Sequence, residues 1–158
     1  MFNHIKKLLF SNPIPGKPRQ DHELANRISA CVILLEAALV DNHLAETEME
    51  HIHASIIQEF GLEPVYAEEL LEMAHKARNK ATDLWEFTNR INQSATPEEK
   101  LAIMKRVWHI IYADGNLDML EDHFAHKLAN LLRLTHGQMI ETKLQAKAEI
   151  ARRPSAEQ

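Results

Sequence analysis

The stretch Ile110-Ile111-Tyr112-Ala113-Asp114-Gly115-Asn116-Leu117-Asp118-Met119-Leu120-Glu121 decides the fold, because the chain carries it twice. Seventy-three residues earlier stands Ala37-Ala38-Leu39-Val40-Asp41-Asn42-His43-Leu44-Ala45-Glu46-Thr47-Glu48. In each copy an apolar helical run stops at an Asp, a Leu follows three residues on, and a Glu comes seven residues after the Asp. Upstream the same offset sets Leu35 against Trp108, Ala38 against Ile111 and Val40 against Ala113, and past the Glu the register slips by about one residue. Two related helix-turn-helix hairpins account for this self-similarity, with Asp41 and Glu48 in one and Asp114 and Glu121 in the other.

The hairpins sit in an all-helical context. A helix is expected from Asp21 to Val40, where Leu24, Ile28, Cys31, Leu35 and Leu39 recur at helical spacing and Val32, Ile33 and Leu34 broaden the stripe. The second arm of that hairpin spans about 45–60 and stops at Gly61; Leu44 and Met49 are spaced for a hydrophobic staple at its start. Pro64 opens a helix reaching Lys80, with Leu70, Leu71, Met73 and Ala74 facing inward, and Asp83 is the expected N-cap of a short helix carrying Leu84, Trp85, Phe87 and Ile91. Thr96-Pro97-Glu98-Glu99 is a capping box with Pro at the first helical position, and Asp118 with Glu121 forms a second box. Thr135 caps a last helix ending near Ala151. No alternating run of strand length occurs, so the reading is all-α, a single domain of seven to eight helices built from the two hairpins.

Residues 2–10 are expected to form a short amphipathic helix with Phe2, Ile5, Leu8 and Leu9 on one side, tethered by Ser11-Asn12-Pro13-Ile14-Pro15-Gly16-Lys17-Pro18, whose prolines exclude helix. The organisation is thus an N-terminal helix plus Pro-rich linker over 1–20, a helical domain over 21–151 and a frayed tail over 152–158. The N-terminal helix is expected to fold back on the core or to dock on a partner or, weakly, on a membrane surface, its two lysines being a thin basic patch. It is too short and too interrupted by lysine for a signal peptide, and no run of about 18 apolar residues suits a membrane span.

With 158 residues and 45% apolar content, the chain can bury a core without staples. Its one cysteine, Cys31, rules out an internal disulfide, fits a cytoplasmic setting, and lies on an apolar stripe as a packed small hydrophobe. A net charge of −5 opposes general nucleic-acid binding, which needs a basic face. Among ten histidines, His51, His53, His123 and His126 lie near the hairpins, where solvated surface positions are the simplest account. No catalytic motif is found, so the expectation is not an enzyme.

The paired acids are the candidate site. Asp41 and Asp114 end helices, against the negative end of the helix dipole, whereas Glu48 and Glu121 occupy favourable first turns. Each copy can be explained by turn chemistry, with the Asp accepting from the next helix's amides and the Glu returning to the cap. Alternatively the hairpins pair and up to four carboxylates converge, which requires protonation or a cation. Oxygen donors suit Mg, Ca or Mn, and His51 could add a nitrogen favouring Zn or Fe. A calcium loop does not match, since the Glu arrives at position eight rather than twelve. A di-iron centre does not either: Glu48 and Glu50 with His51 and His53 give overlapping Glu-x-x-His pairs on one arm, while Glu121 is followed three later by Phe124.

The doubled Ala113-Asp114-Gly115-type turn, with the Phe60-Gly61-Leu62 stop, the Asp83-Leu84-Trp85-Glu86-Phe87 helix start and the Thr96-Pro97-Glu98-Glu99-Lys100 opening, resembles the TerB-like tellurite-resistance family of small all-helical bacterial proteins, over about residues 21–150. The first copy departs from the pattern, reading Val40-Asp41-Asn42, where Asn still tolerates the left-handed conformation. The resemblance implies a metal site at Asp41, Glu48, Asp114 and Glu121. With no transmembrane segment and no His-Pro-Asp tripeptide, it implies no co-chaperone role of the kind found in related DnaJ-like proteins. The expected function is a non-enzymatic helical module that binds a divalent cation and meets an unspecified protein partner in a stress response. A metal-dependent hydrolase using the same carboxylates and a peripheral membrane adaptor standing on residues 1–10 are the alternatives. Oligomeric state has no signal in the sequence.

Overall fold

The computed structural model describes residues 19–40, 50, 53–54, 56–58, 61, 63–112 and 117–152. Six helices are described in full: α1 Arg19–Ala38, α2 Pro64–Lys80, α3 Trp85–Ser94, α4 Pro97–Ile111, α5 Met119–Leu131 and α6 His136–Arg152. Residues 50, 53–54 and 56–58 are also helical and belong to the arm expected over 45–60. No strand occurs among the described residues. The protein is an all-α bundle. The N-terminal helix over 2–10, its linker, the Leu44–Met49 staple and the tail beyond 152 lie outside the described residues.

The bundle is arranged around α1 for a reason visible in its sequence. Cys31, Val32, Ile33, Leu34 and Leu35 are consecutive, and five consecutive helical positions point in every direction around the axis. A helix that is apolar all round must be surrounded. All five residues are at most 1% exposed, with α2, α3 and α4 packed about them. α4 then carries the packing outward, its Met104, Val107, Trp108 and Ile111 buried and its outer side covered by α6, while α5 bridges α3 and α4. Emptying the largest of these positions, Trp108, would cost about 3–5 kcal/mol.

The internal repeat extends to burial. α1 ends at Ala38 and α4 at Ile111, the same offset of 73 that relates the acidic turns. Cys31 and Met104, Leu34 and Val107, and Leu35 and Trp108 are equivalent pairs, and every member is buried to within 1%. The two first arms therefore bury the same face and end in the same place.

Local chemistry sets the helix ends. Thr96 Oγ1 accepts the Glu99 amide at 3.1 Å while the Glu99 carboxylate accepts the Thr96 amide at 2.8 Å, and Thr135 makes the same exchange with Gln138 at 3.0 and 2.9 Å. Gly61 stops the preceding arm at φ +65°, its amide donating to Ile57 O at 3.1 Å. α5 ends in a Schellman turn in which Leu134 N donates to Ala129 O at 2.9 Å, with Arg133 at φ 60° in the place where glycine is usual. Asn92 and Lys100 donate to the Leu131 and Leu132 carbonyls at 2.8 and 3.0 Å, so α3 and α4 hold the same helix end.

Two boundaries differ from expectation. α1 already includes Arg19 and Gln20 and closes at Ala38, with Leu39 and Val40 in a turn. The N-cap of α3 is Leu84, not Asp83; Asp83 Oδ1 accepts the Trp85 amide at 3.0 Å from one residue further out, an Asx turn that satisfies the first orphan donor without occupying the cap.

Candidate metal centre at the acidic corner

Of the four carboxylates, the structure places Glu121; Asp41, Glu48 and Asp114 lie outside the described residues. The corner between α4 and α5 is fixed on both sides. Tyr112 closes α4 with its amide directed to Trp108 O and Ile110 O, and Asp118 opens α5 from extended backbone. Asp118 Oδ1 accepts the Glu121 amide at 2.8 Å, and Glu121 Oε1 accepts the Asp118 amide at 3.1 Å. This is the expected capping box, and it fixes the direction of the Glu121 carboxylate.

Capping does not account for everything about Glu121. Glu99 fills the same position in the Thr96 box and is exposed, whereas Glu121 is 8% exposed. A cap needs no burial, and a carboxylate taken from water must recover its hydration from partners. Its surroundings are amphipathic. Tyr112 stacks on Trp108 with ring centroids 6.0 Å apart, and Lys147 and Lys143 of α6 lie over the Tyr112 and Trp108 rings at 5.6 and 5.4 Å. Burial pushes the Tyr112 hydroxyl above its ordinary pKa; Lys147 opposes this, and Asp122 and Glu121 add to it. On the open side Met119 and Leu120 are 86% and 56% exposed, an apolar step beside the acidic corner.

The donor chemistry of the four acids fits a hard cation, since carboxylate oxygens suit Mg, Ca or Mn. Glu121, in a first turn where the helix dipole also favours negative charge, suits such a ligand set. Among the described residues no three His, Cys, Asp or Glu side chains converge. His123 and His126 are exposed, His126 lying 3.5 Å from Asp122 and stacked with His136 at 6.1 Å. His51 lies outside the described residues.

Elsewhere the fold assembles polar groups that sequence reading missed. His109 is 6% exposed, and its Nε2 meets Glu149 Oε1 at 2.7 Å while Lys105 Nζ reaches Glu149 Oε2 at 3.0 Å, joining α4 to α6. The Lys105 and His109 bonds hold the Glu149 carboxyl below the usual carboxylate range. His109 Nδ1 and Trp108 Nε1 are buried with no partner among the described residues. Arg78 pairs with Glu36, tying α2 to α1. His53 and His75 meet through their Nε2 atoms at 2.9 Å. Partners 40, 42 and 22 positions apart leave no local signature in a sequence. Glu72 does stand three residues before His75, a further Glu-x-x-His on a different helix from Glu50 and His53 that the hairpin acids alone do not reveal.

Hollows are lined by described residues. One of about 300 Å³ lies between α1 and α4, lined by Glu23, Arg27, Glu99 and Arg106 among others, with charges of both signs. A smaller one of about 120 Å³ lies beside the Arg78–Glu36 pair. Neither is lined by Glu121. No helix among the described residues is long and apolar enough to cross a membrane.

Comparison with known proteins agrees with the architecture. No curated protein and no solved structure matches the chain. A family model, described as tellurite resistance protein TerB, matches residues 27–144, which takes in the central helix from Arg27 on, both acidic turns and the capping boxes at Thr96, Asp118 and Thr135. With most of its length so matched, the chain belongs to the TerB family.

Proposed function

We propose that the protein is a non-enzymatic, cytoplasmic helical module that holds a divalent cation at its paired acidic turns and engages a protein partner in a stress response of the tellurite-resistance kind. The observation that carries this reading is the Glu121 carboxylate: it is 8% exposed where the capping-equivalent Glu99 is open to solvent. Asp41, Glu48 and Asp114 would complete an oxygen donor set, and the chemistry supplied by a bound cation is charge neutralisation, which lets like-charged corners approach. Met119 and Leu120, exposed beside Glu121, supply apolar surface for a partner whose access would follow the state of the corner.

Native mass spectrometry of the wild type and of Asp114→Ala/Glu121→Ala, with and without chelator, tests the reading. The wild type is expected to retain Ca, Mg or Mn and the double variant to lose it. Equal retention by both proteins, or none by either at millimolar cation, would refute it.

A further inference from the structure

A histidine pair joins the arm over 45–60 to α2. His53, on the arm that follows the first acidic turn, and His75, on α2, present their Nε2 atoms to one another at 2.9 Å, with ring centroids 5.1 Å apart and planes at 64°. Both side chains are half-buried. We propose that these two imidazoles form a binding site for a borderline divalent transition metal, zinc or nickel, that clips the arm to α2.

A metal bound by imidazole sits about 2.0–2.1 Å from each nitrogen, so two ligands at angles between about 90° and 109° place their nitrogens roughly 2.9–3.4 Å apart. The pair already stands at the short end of that range, and opening by less than about 0.5 Å reaches the tetrahedral end. In the metal-free pair one ring donates its Nε2 hydrogen and the other accepts. A metal needs both Nε2 lone pairs, so the donor ring moves its hydrogen to Nδ1 and no proton is lost overall. Burial, then His53 and Arg78, lower the pKa of His75, which keeps its ring neutral and its lone pair available at neutral pH. The Arg78 charge is balanced by Glu36.

Imidazole nitrogen selects zinc, nickel or copper over the hard cations suited to carboxylates, so the two sites differ in chemistry. No third His, Cys, Asp or Glu joins the pair among the described residues, and water would fill the remaining positions. Glu72, one turn before His75, lies 3.5 Å from Lys76.

The test adds zinc ion to the full chain and follows the imidazole nitrogens by NMR, with calorimetric titration of the wild type, His53→Gln, His75→Gln and Asp114→Ala/Glu121→Ala. At one equivalent, the Nε2 signals of His53 and His75 are expected to shift before those of any other histidine. Each glutamine variant should bind at least about tenfold more weakly, which is about 1.4 kcal/mol. The acidic-corner variant should keep the site intact. Unmoved His53 and His75 signals in the wild type would overturn the proposal, whatever the variants do. Wild-type affinity in both glutamine variants would overturn it equally, leaving the pair a simple hydrogen bond.

Discussion

Glu121 and Glu99 form a matched pair of substitutions that isolates the function of the acidic corner. Each returns a carboxylate oxygen to its own N-cap amide, at 3.1 and 2.8 Å, and each sits in the first turn of its helix. Replacing either by alanine removes one hydrogen bond to a charged group, worth about 1.5–3 kcal/mol before solvent exposure reduces it for Glu99. If capping were the whole role, added cation would change neither loss. If Glu121 is a ligand, cation binds the folded wild type and Glu99→Ala and stabilises both. At about a hundred times the dissociation constant that gain is about 2.7 kcal/mol. Glu121→Ala should show little of it. Urea denaturation followed by fluorescence of Trp85 and Trp108, in chelator and in millimolar calcium, measures the difference of differences. A calcium gain in Glu121→Ala equal to that in Glu99→Ala would refute the reasoning, as would a wild type indifferent to calcium and to magnesium and manganese.

Other predictions concern the scaffold. Cys31 is fully buried and its thiol is pushed up to about 12, so it should resist thiol reagents in the native protein and react at the rate of global opening; prompt labelling without urea would contradict this. Arg133→Gly should stabilise by about 1 kcal/mol in urea denaturation, because a left-handed residue with a Cβ is relieved, whereas Gly61→Ala at φ +65° should cost about 1 kcal/mol although, among the described residues beyond its chain neighbours, none comes within 4 Å of the added Cβ. The folded pKa of Glu149 is depressed, so its contribution to stability is present above its ordinary value of 4.5 and fades as pH falls through the folded value. Its side chain is 37% exposed, so the effect should stay below about 1 kcal/mol. Glu149→Gln should flatten the acid limb of the stability profile, and an unchanged limb would argue against the Lys105–Glu149–His109 clamp.

What was legible in the sequence was what is decided within one turn of chain. Thr96, Asp118 and Thr135 mark helix starts by accepting a backbone amide three residues on, Pro64 by lacking the amide a first helical position leaves unbonded, and Gly61 a helix end by donating to Ile57 O from a left-handed turn. The run Cys31–Leu35 likewise demanded a surrounded helix, since no single face could hold it. Asp83 shows the limit of such reasoning. An Asp can serve an orphan amide from the cap or from the residue before it, and the choice depends on how Leu84 packs, 9% exposed against the core. The pairs His53–His75, His109–Glu149 and Arg78–Glu36 were illegible because they depend on the relative placement of whole helices.

The acidic corner lies between these extremes. Spacing alone identified Glu121 as a capping-box acid, and that is where it stands. Its burial was not readable, because Thr96–Glu99 and Asp118–Glu121 are the same local pattern with opposite exposure. The difference comes from the elements around each box. α4 begins at the open edge beside the hollow shared with α1, whereas α5 begins against Tyr112 and the lysines of α6. Equivalent sequence in unequal surroundings separates a cap that is only a cap from one that has a second reason to be buried. The repeat makes that comparison sharper still. α1 and α4 bury equivalent faces and end at equivalent residues, so the acids that follow each begin from matched helix ends. Two matched ends that both keep an Asp and a Glu while changing the cap residue, Ala45 against Asp118, preserve charge where capping alone would preserve the cap.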